Sequence, residues 1–192
     1  KRAQIFFEFK TIAPHLSRAD FIQLYREASA VFIARETDLN RACIEAIESK
    51  IVGNTVLDIA CGRGFLAKRL ARRHQVTAAD LSLDPQMVLE CPHVRFQQAH
   101  LESLPFRDGE FDTVVCAHTL EHVQDIFQAI LELRRVCANR LIIVAPKQRP
   151  YKYTFDLHLH FFPYASSLLT ILRPPKGKYH LQEITKDWFY LE

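Results

Sequence analysis

Two carboxylates and two glycines stand where a nucleotide-like ligand can be held. Val56-Leu57-Asp58-Ile59 ends a strand-like run, and Ala60-Cys61-Gly62-Arg63-Gly64 turns into a helical stretch from Phe65. A strand, a glycine turn and a helix N-terminus in that order make a cradle at the carboxyl end of a parallel sheet. Gly62 and Gly64 lack Cβ atoms, which lets the backbone approach a ligand closely. Asp80 ends the next strand-like run, Val76-Thr77-Ala78-Ala79. There it can accept from both hydroxyls of a ribose, in charge-assisted bonds of about 1.5–3 kcal/mol each.

Two ligands compete for this cradle. Gly62-x-Gly64-x-x-Ala67 followed by Asp80 satisfies the dinucleotide fingerprint. The rival is S-adenosylmethionine. Asp58 separates them. A pyrophosphate on the helix N-terminus would face this carboxylate at close range, and like charges repel. S-adenosylmethionine has no phosphate; it carries an α-ammonium and a sulfonium, which an acid attracts. The spacing therefore favours S-adenosylmethionine over a nicotinamide dinucleotide. Leu81 is placed to press on an adenine ring, and Met87 to pack beside it or in the core.

Histidines supply candidates for proton transfer. His118 follows a strand-like run over 111–116 and is the first choice for a general base. His158 and His160 alternate within Asp156-Leu157-His158-Leu159-His160-Phe161-Phe162, so an extended backbone aims both at one face. They are expected to line an acceptor pocket. A metal site is not expected, because no third ligand has suggestive spacing. Glu121 and His122 open the next helix and read as structural. Lys147, Arg149, Tyr151, Lys152 and Tyr153 could hold an acidic or glycosylated acceptor.

These residues need elements to position them. Strand-like runs over 55–59, 75–79, 94–98, 111–116 and 141–145 alternate with helical ones over 65–73, 84–90 and 123–138. Several of the strands are apolar without clean alternation, which suits burial on both faces. Residues 1–50 read as helical, with Phe21, Leu24, Tyr25, Ala28, Val31, Phe32 and Arg35 at three-and-four spacing and Asp38 as a cap for a helix through Ile47. Phe6, Phe7 and Phe9 are expected to pack in the core. Residues 179–184 and 188–191 read as a hairpin turned at Thr185-Lys186-Asp187. The expected fold is α/β: a Rossmann-like, doubly wound, mostly parallel sheet of seven strands (six if the C-terminal hairpin is incomplete) in three α/β/α layers. A single domain is expected, with a helical cap over 1–50, a cofactor-binding core over 51–146, and an acceptor-side segment with the hairpin over 147–192.

Composition narrows the class. A chain of 192 residues, 48% hydrophobic, fills one core but not two ordinary domains. A net charge of +3 does not suggest a nucleic-acid binder. No apolar run is long enough for a membrane span, and no signal peptide is read at the N-terminus. The five cysteines are an odd number at wide spacings. Reduced thiols and a cytoplasmic setting are the default expectation.

Over about 37–146 the sequence resembles the class I S-adenosylmethionine-dependent methyltransferases, especially the small-molecule type. Asp58-Ile59-Ala60-Cys61-Gly62-Arg63-Gly64 looks like their first motif, and Asp80-Leu81-Ser82 like the ribose-binding acid and its neighbour. Leu104-Pro105-Phe106-Arg107-Asp108-Gly109-Glu110-Phe111-Asp112 is similar to the family's loop into strand four, and Leu120-Glu121-His122-Val123 to the segment after it. The resemblance implies methyl transfer from S-adenosylmethionine, with S-adenosylhomocysteine as product, to a small-molecule or glycan- or lipid-like acceptor. It implies cofactor contacts at Asp58, Ala60, Cys61, Gly62, Gly64, Asp80, Leu81, His100, Leu101, Cys116 and Ala117. The sequence departs from the family twice. His100 stands where an acid usually accepts from the adenine amino group; one nitrogen of a neutral imidazole can do so in the right tautomer. Cys137-Ala138-Asn139-Arg140 replaces a Pro-Gly-Gly turn, with Asn139 able to adopt the left-handed conformation. The alternatives are a non-catalytic cofactor-binding or partner-regulating domain and, more distantly, an RNA methyltransferase.

Overall fold

The computed structural model describes residues 8–29, 36–151 and 156–192. Phe6, Phe7, Val31, Phe32, Arg35, Lys152 and Tyr153 fall outside them. Helix α1 (Arg18–Ser29) and helix α2 (Arg41–Lys50) precede an alternating run: β1 (Thr55–Ile59), α3 (Phe65–Leu70), β2 (Gln75–Asp80), α4 (Pro85–Glu90), β3 (Val94–Gln98), β4 (Phe111–Ala117), α5 (Ile126–Val136) and β5 (Cys137–Pro146). Helix α6 (Ala165–Leu172) and the hairpin β6 (His180–Ile184) and β7 (Asp187–Leu191) complete the chain. The seven strands lie in the order β3-β2-β1-β4-β5-β7-β6. Strands β1 to β5 pair in parallel, and β7 joins antiparallel to β5 and β6. This is the expected doubly wound sheet, with its switch point between β1 and β4.

Alternate strand residues feed opposite faces. Leu57, Ile59, Val114, Cys116, Leu141 and Ile143 pack with Ile126, Ala129, Ile130 and Leu133 of α5 and Leu168 and Leu172 of α6. Val56, Val76, Val115, Ile142 and Val144 pack with Cys43 and Ile47 of α2 and Leu66, Ala67 and Leu70 of α3. Both faces of each central strand are thus covered, which explains their continuous apolar runs. A third cluster joins Phe9, Ala13, Phe21 and Ala28 to Leu157, so the N-terminal segment rests on the segment after β5.

Three local expectations change. The cap of α2 is Asn40, not Asp38: the Asn40 side chain accepts from the Cys43 N–H at 2.9 Å. No turn separates α5 from β5; Cys137 both follows the last helical residue and pairs with Phe111. Asn139 lies within the strand, where its amide donates to Asp112 Oδ1 at 3.1 Å. The hairpin turns on Thr185, which has φ +58°, and Lys186, while Asp187 belongs to β7.

Candidate active site

A cavity of about 490 Å³ opens at the carboxyl ends of β1, β2 and β4, beside the switch point. It is of the size that holds a cofactor-sized ligand. Asp58, Ala60, Cys61, Gly62, Asp80, Leu81, His100, Leu101, Ala117 and His118 line it. Helix α1 contributes Phe21, Tyr25 and Arg26 to the wall. It is tied across the cavity by Arg26, whose guanidinium donates to the Leu81 carbonyl at 2.7 Å.

The four remaining site candidates lie elsewhere. Gly64 is not a cavity residue; it begins α3 at φ +69°, and a Cβ there would meet Met87 Sδ at 2.9 Å. Its glycine serves backbone conformation and packing rather than ligand approach. Gly62 does face open space, at φ +52°. Cys116 is fully buried in the core. His160 gives Nε2 to the Val123 carbonyl at 2.9 Å, and His158 turns its ring edge-on to His122 with centroids 4.7 Å apart. Neither lines the cavity.

Asp58 is 3% exposed, and its Oδ2 has no hydrogen-bond partner among the described residues. Burial pushes its carboxyl up to about 7; the Ala67 N–H opposes this and nearby Asp80 adds to it. A buried carboxylate without a partner on one oxygen is a strong attractor for a cation. Asp80 is raised too, chiefly by burial, although it accepts from Gly62 N–H at 2.8 Å and Ser82 N–H at 3.2 Å. Those two bonds fix the carboxylate at the strand end and leave further lone pairs on each oxygen. A phosphate would meet two carboxylates here, whereas an ammonium and a ribose meet acceptors.

His100 has a determined tautomer. Its Nδ1 accepts from the Glu102 N–H at 3.2 Å, and burial keeps its pKa below the usual imidazole range. A neutral ring with Nδ1 as acceptor carries its proton on Nε2. The nitrogen left for a ligand is therefore a donor, opposite in polarity to the acid usual in the family.

His118 lies in a setting that a general base does not want. It has φ +50°, and its backbone N–H is held by the Val144 carbonyl at 2.8 Å. Its Nδ1 is 3.6 Å from Glu121 Oε1 and its Nε2 is 3.5 Å from Asp187 Oδ1. Burial opposes its charge, but the two carboxylates outweigh burial and push the imidazole up to about 10. The two carboxylates thus favour the charged ring, a setting that suits a positive charge in the cavity wall better than the base role expected from sequence. Glu121 is fully buried, and His118 and the neighbouring imidazoles hold it below the usual carboxylate range against the cost of burial. Asp187, read from sequence as a turn residue, is 7% exposed and accepts from Asn40 Nδ2 at 2.7 Å. Only the hairpin's long-range pairing brings it here.

Residues 57–144 match the family model described as a methyltransferase domain. Fold, cradle and match agree in making residues 57–144 similar to a methyltransferase domain. Among curated relatives, a 2-phytyl-1,4-naphtoquinone methyltransferase of Trichormus variabilis is 38% identical over 96 residues, 44% of this chain and 42% of its own length. A ubiquinone biosynthesis O-methyltransferase of Xanthomonas euvesicatoria pv. vesicatoria is 32% identical over 166 residues, 77% of this chain and 64% of its own length. The chain thus spans less than half of the first relative and under two thirds of the second. Among solved structures, a Burkholderia thailandensis 1,6-didemethyltoxoflavin-N1-methyltransferase, with bound 1,6-didemethyltoxoflavin and S-adenosylhomocysteine, superposes with a TM-score of 0.64 at 18% identity, covering 91% of this chain and 84% of that one. That last likeness is one of fold.

Proposed function

We propose that the chain transfers the methyl group of S-adenosylmethionine to a small, largely planar acceptor of the quinol or phenol type. The observation that carries the cofactor assignment is Asp58: a buried carboxylate with one oxygen unpartnered among the described residues, on the wall of a cavity that also holds Asp80. Bound there, the cofactor supplies an electrophilic methyl on a positively charged sulfur. Asp58 pairs with the α-ammonium, and Asp80 accepts from the ribose hydroxyls. Leu81 covers one face of the adenine, and His100 donates to its edge through Nε2. These contacts orient the methyl group; orientation of this kind contributes up to roughly 7–11 kcal/mol to a displacement reaction.

The names of the curated relatives and the aromatic wall from Phe21 and Tyr25 support the choice of acceptor. His118 holds a positive charge at that wall, where it favours an acceptor in its oxyanion form. The basic segment at 147–151 gives less support to an acidic or glycosylated acceptor: Lys147 is paired with Glu183 at 2.6 Å and lies over the Trp188 ring. The single-domain arrangement with a helical cap agrees with α1 closing over the cofactor end. The test is incubation with methyl-labelled S-adenosylmethionine and a panel of catechols, naphthoquinols and aliphatic alcohols. Label should appear in the aromatic hydroxyl compounds and vanish in Asp80→Ala. Saturable cofactor binding with no labelled product from any acceptor would favour the non-catalytic reading.

A further inference from the structure

Glu121 opens a second question, because its buried carboxylate has no hydrogen bond on either oxygen among the described residues. His118 is one ion-pair neighbour, at 3.6 Å, and is already shared with Asp187. On its other side lie His122 and His158, each offering one ligand atom, and the three donor atoms of Glu121, His122 and His158 lie within 4.8 Å of one another. We infer that Glu121, His122 and His158 form a binding site for one divalent transition-metal ion of the zinc type. Two imidazoles and one carboxylate are the donor set such ions take.

The second layer of contacts is what distinguishes this trio from a chance cluster. The Nδ1 of His122 faces the Leu157 carbonyl at 3.2 Å, and the Nδ1 of His158 faces the side-chain oxygen of Gln148. Both acceptors place the ring proton on Nδ1 and leave a lone pair on Nε2. Gln148 is itself oriented, since its amide donates to Asp156 Oδ2 at 3.0 Å. An Asp156–Gln148–His158 chain of this kind fixes the tautomer and direction of a ligating imidazole. The backbone is fixed as well: the Glu121 carbonyl accepts from Leu159 N–H at 2.6 Å and His160 N–H at 3.1 Å, which pins the segment bearing His158 against the start of the Glu121 loop. Tetrahedral ligands about 2.1 Å from zinc stand roughly 3.4 Å apart, so no pair closes by more than about 1.4 Å on binding. From sequence the His158-x-His160 pair lacked a third ligand; the fold supplies two, and it uses His160 elsewhere.

The experiment is equilibrium dialysis and calorimetry of the chelator-treated chain with zinc, and absorption spectroscopy with cobalt(II) as its substitute. One equivalent should bind, with a cobalt spectrum of nitrogen and oxygen ligation and no thiolate-to-metal band. His158→Ala should abolish stoichiometric uptake, and His160→Ala should retain it. Gln148→Ala, which keeps all three ligands, should weaken binding about 10- to 100-fold. Absence of stoichiometric uptake overturns the inference. So does uptake that survives His158→Ala, or a thiolate band, which would move the ion to one of the cysteines. If His158→Ala does not fold, the Gln148→Ala affinity and the cobalt spectrum of the parent chain still decide the matter. Uptake is read without turnover, so its failure is separable from failure of the methyltransferase reading.

Discussion

If Asp58 holds the α-ammonium of the cofactor, binding must be coupled to its ionisation. Its carboxyl stands at about 7 in the free site, against 3.8 in an unperturbed aspartate. Only the ionised form attracts the ammonium, so affinity follows the fraction ionised. That fraction changes about tenfold for each pH unit well below 7. S-adenosylhomocysteine, which has the ammonium but no sulfonium, should therefore bind about tenfold more tightly at pH 6 than at pH 5. The gain flattens near 7, where Asp58 is half ionised, and reverses only where the amino-acid ammonium of the ligand loses its proton. Asp58→Asn separates this limb from the titration of the other groups at the cavity. The two carboxylates beside His118 push its imidazole up to about 10, above this window, and burial pushes His100 below the usual imidazole range. Burial raises Asp80 as well; if it holds the ribose, 5′-methylthioadenosine, which lacks the amino-acid tail, serves as its control. Calorimetry from pH 5 to 8.5 should show the acid limb for S-adenosylhomocysteine, a much flatter profile for 5′-methylthioadenosine, and no acid limb in Asp58→Asn. Equal pH dependence for both ligands would refute the assignment of Asp58 to the ammonium. The same shift bears on stability with the opposite sense: the neutral carboxyl favours the folded chain, and this contribution is lost as pH rises from about 3.8 through 7.

Three further outcomes are expected. Because His100 presents a donor, the chain should bind S-inosylhomocysteine, which carries an oxygen in place of the adenine amino group, within about tenfold of S-adenosylhomocysteine; His100→Asp should widen the preference for adenine roughly 10- to 100-fold by calorimetry. Discrimination already that wide in the parent chain would show that Nε2 does not donate. The His118 ring should not titrate between pH 5 and 8.5 by NMR, and Asp187→Asn should lower its midpoint; its raised value makes a contribution to stability that is complete below 6.5 and is lost as pH climbs to about 10. A parent midpoint near 6.5 would rule out the imidazolium. Gly64→Ala should lower stability by about 1–2 kcal/mol in thermal unfolding, from the left-handed backbone, with the Met87 contact adding to it; unchanged stability would mean that α3 begins in another conformation.

The side of the cavity lined by Asp58, the glycine turn and Asp80 is legible in the sequence because its residues are local. Asp58, the glycine turn and Asp80 fall on two successive strands, and the parallel pairing of Asp58 with Ala78 and Ile59 with Ala79 follows from their burial pattern. The hidden half depends on contacts far apart in sequence. Asp187 reaches His118 across 69 positions only because β7 inserts beside β5. Its position after Thr185-Lys186 looks like a turn in any local reading. The helical spacing of Phe21 and Tyr25 was visible, but its partner was not: the same apolar stripe serves a core face or a cavity wall. The apparent turn at 137–140 failed for a related reason. Pairing of Cys137 with Phe111 draws the chain into the strand directly from the helix, and the Asn139 amide is taken up by Asp112. His118 drew attention as a base on its residue type and place. Its charge state is set by Glu121 and Asp187, and the pairing that brings Asp187 there is not encoded nearby.

A crystal structure with S-adenosylhomocysteine puts the central claim to its most direct test. The ribose hydroxyls should lie on the Asp80 carboxylate, the α-ammonium within hydrogen-bond reach of Asp58, and the sulfur directed toward the wall formed by His118 and α1. An amino-acid tail turned away from Asp58, or a dinucleotide diphosphate seated on the Gly62 turn, would contradict the account.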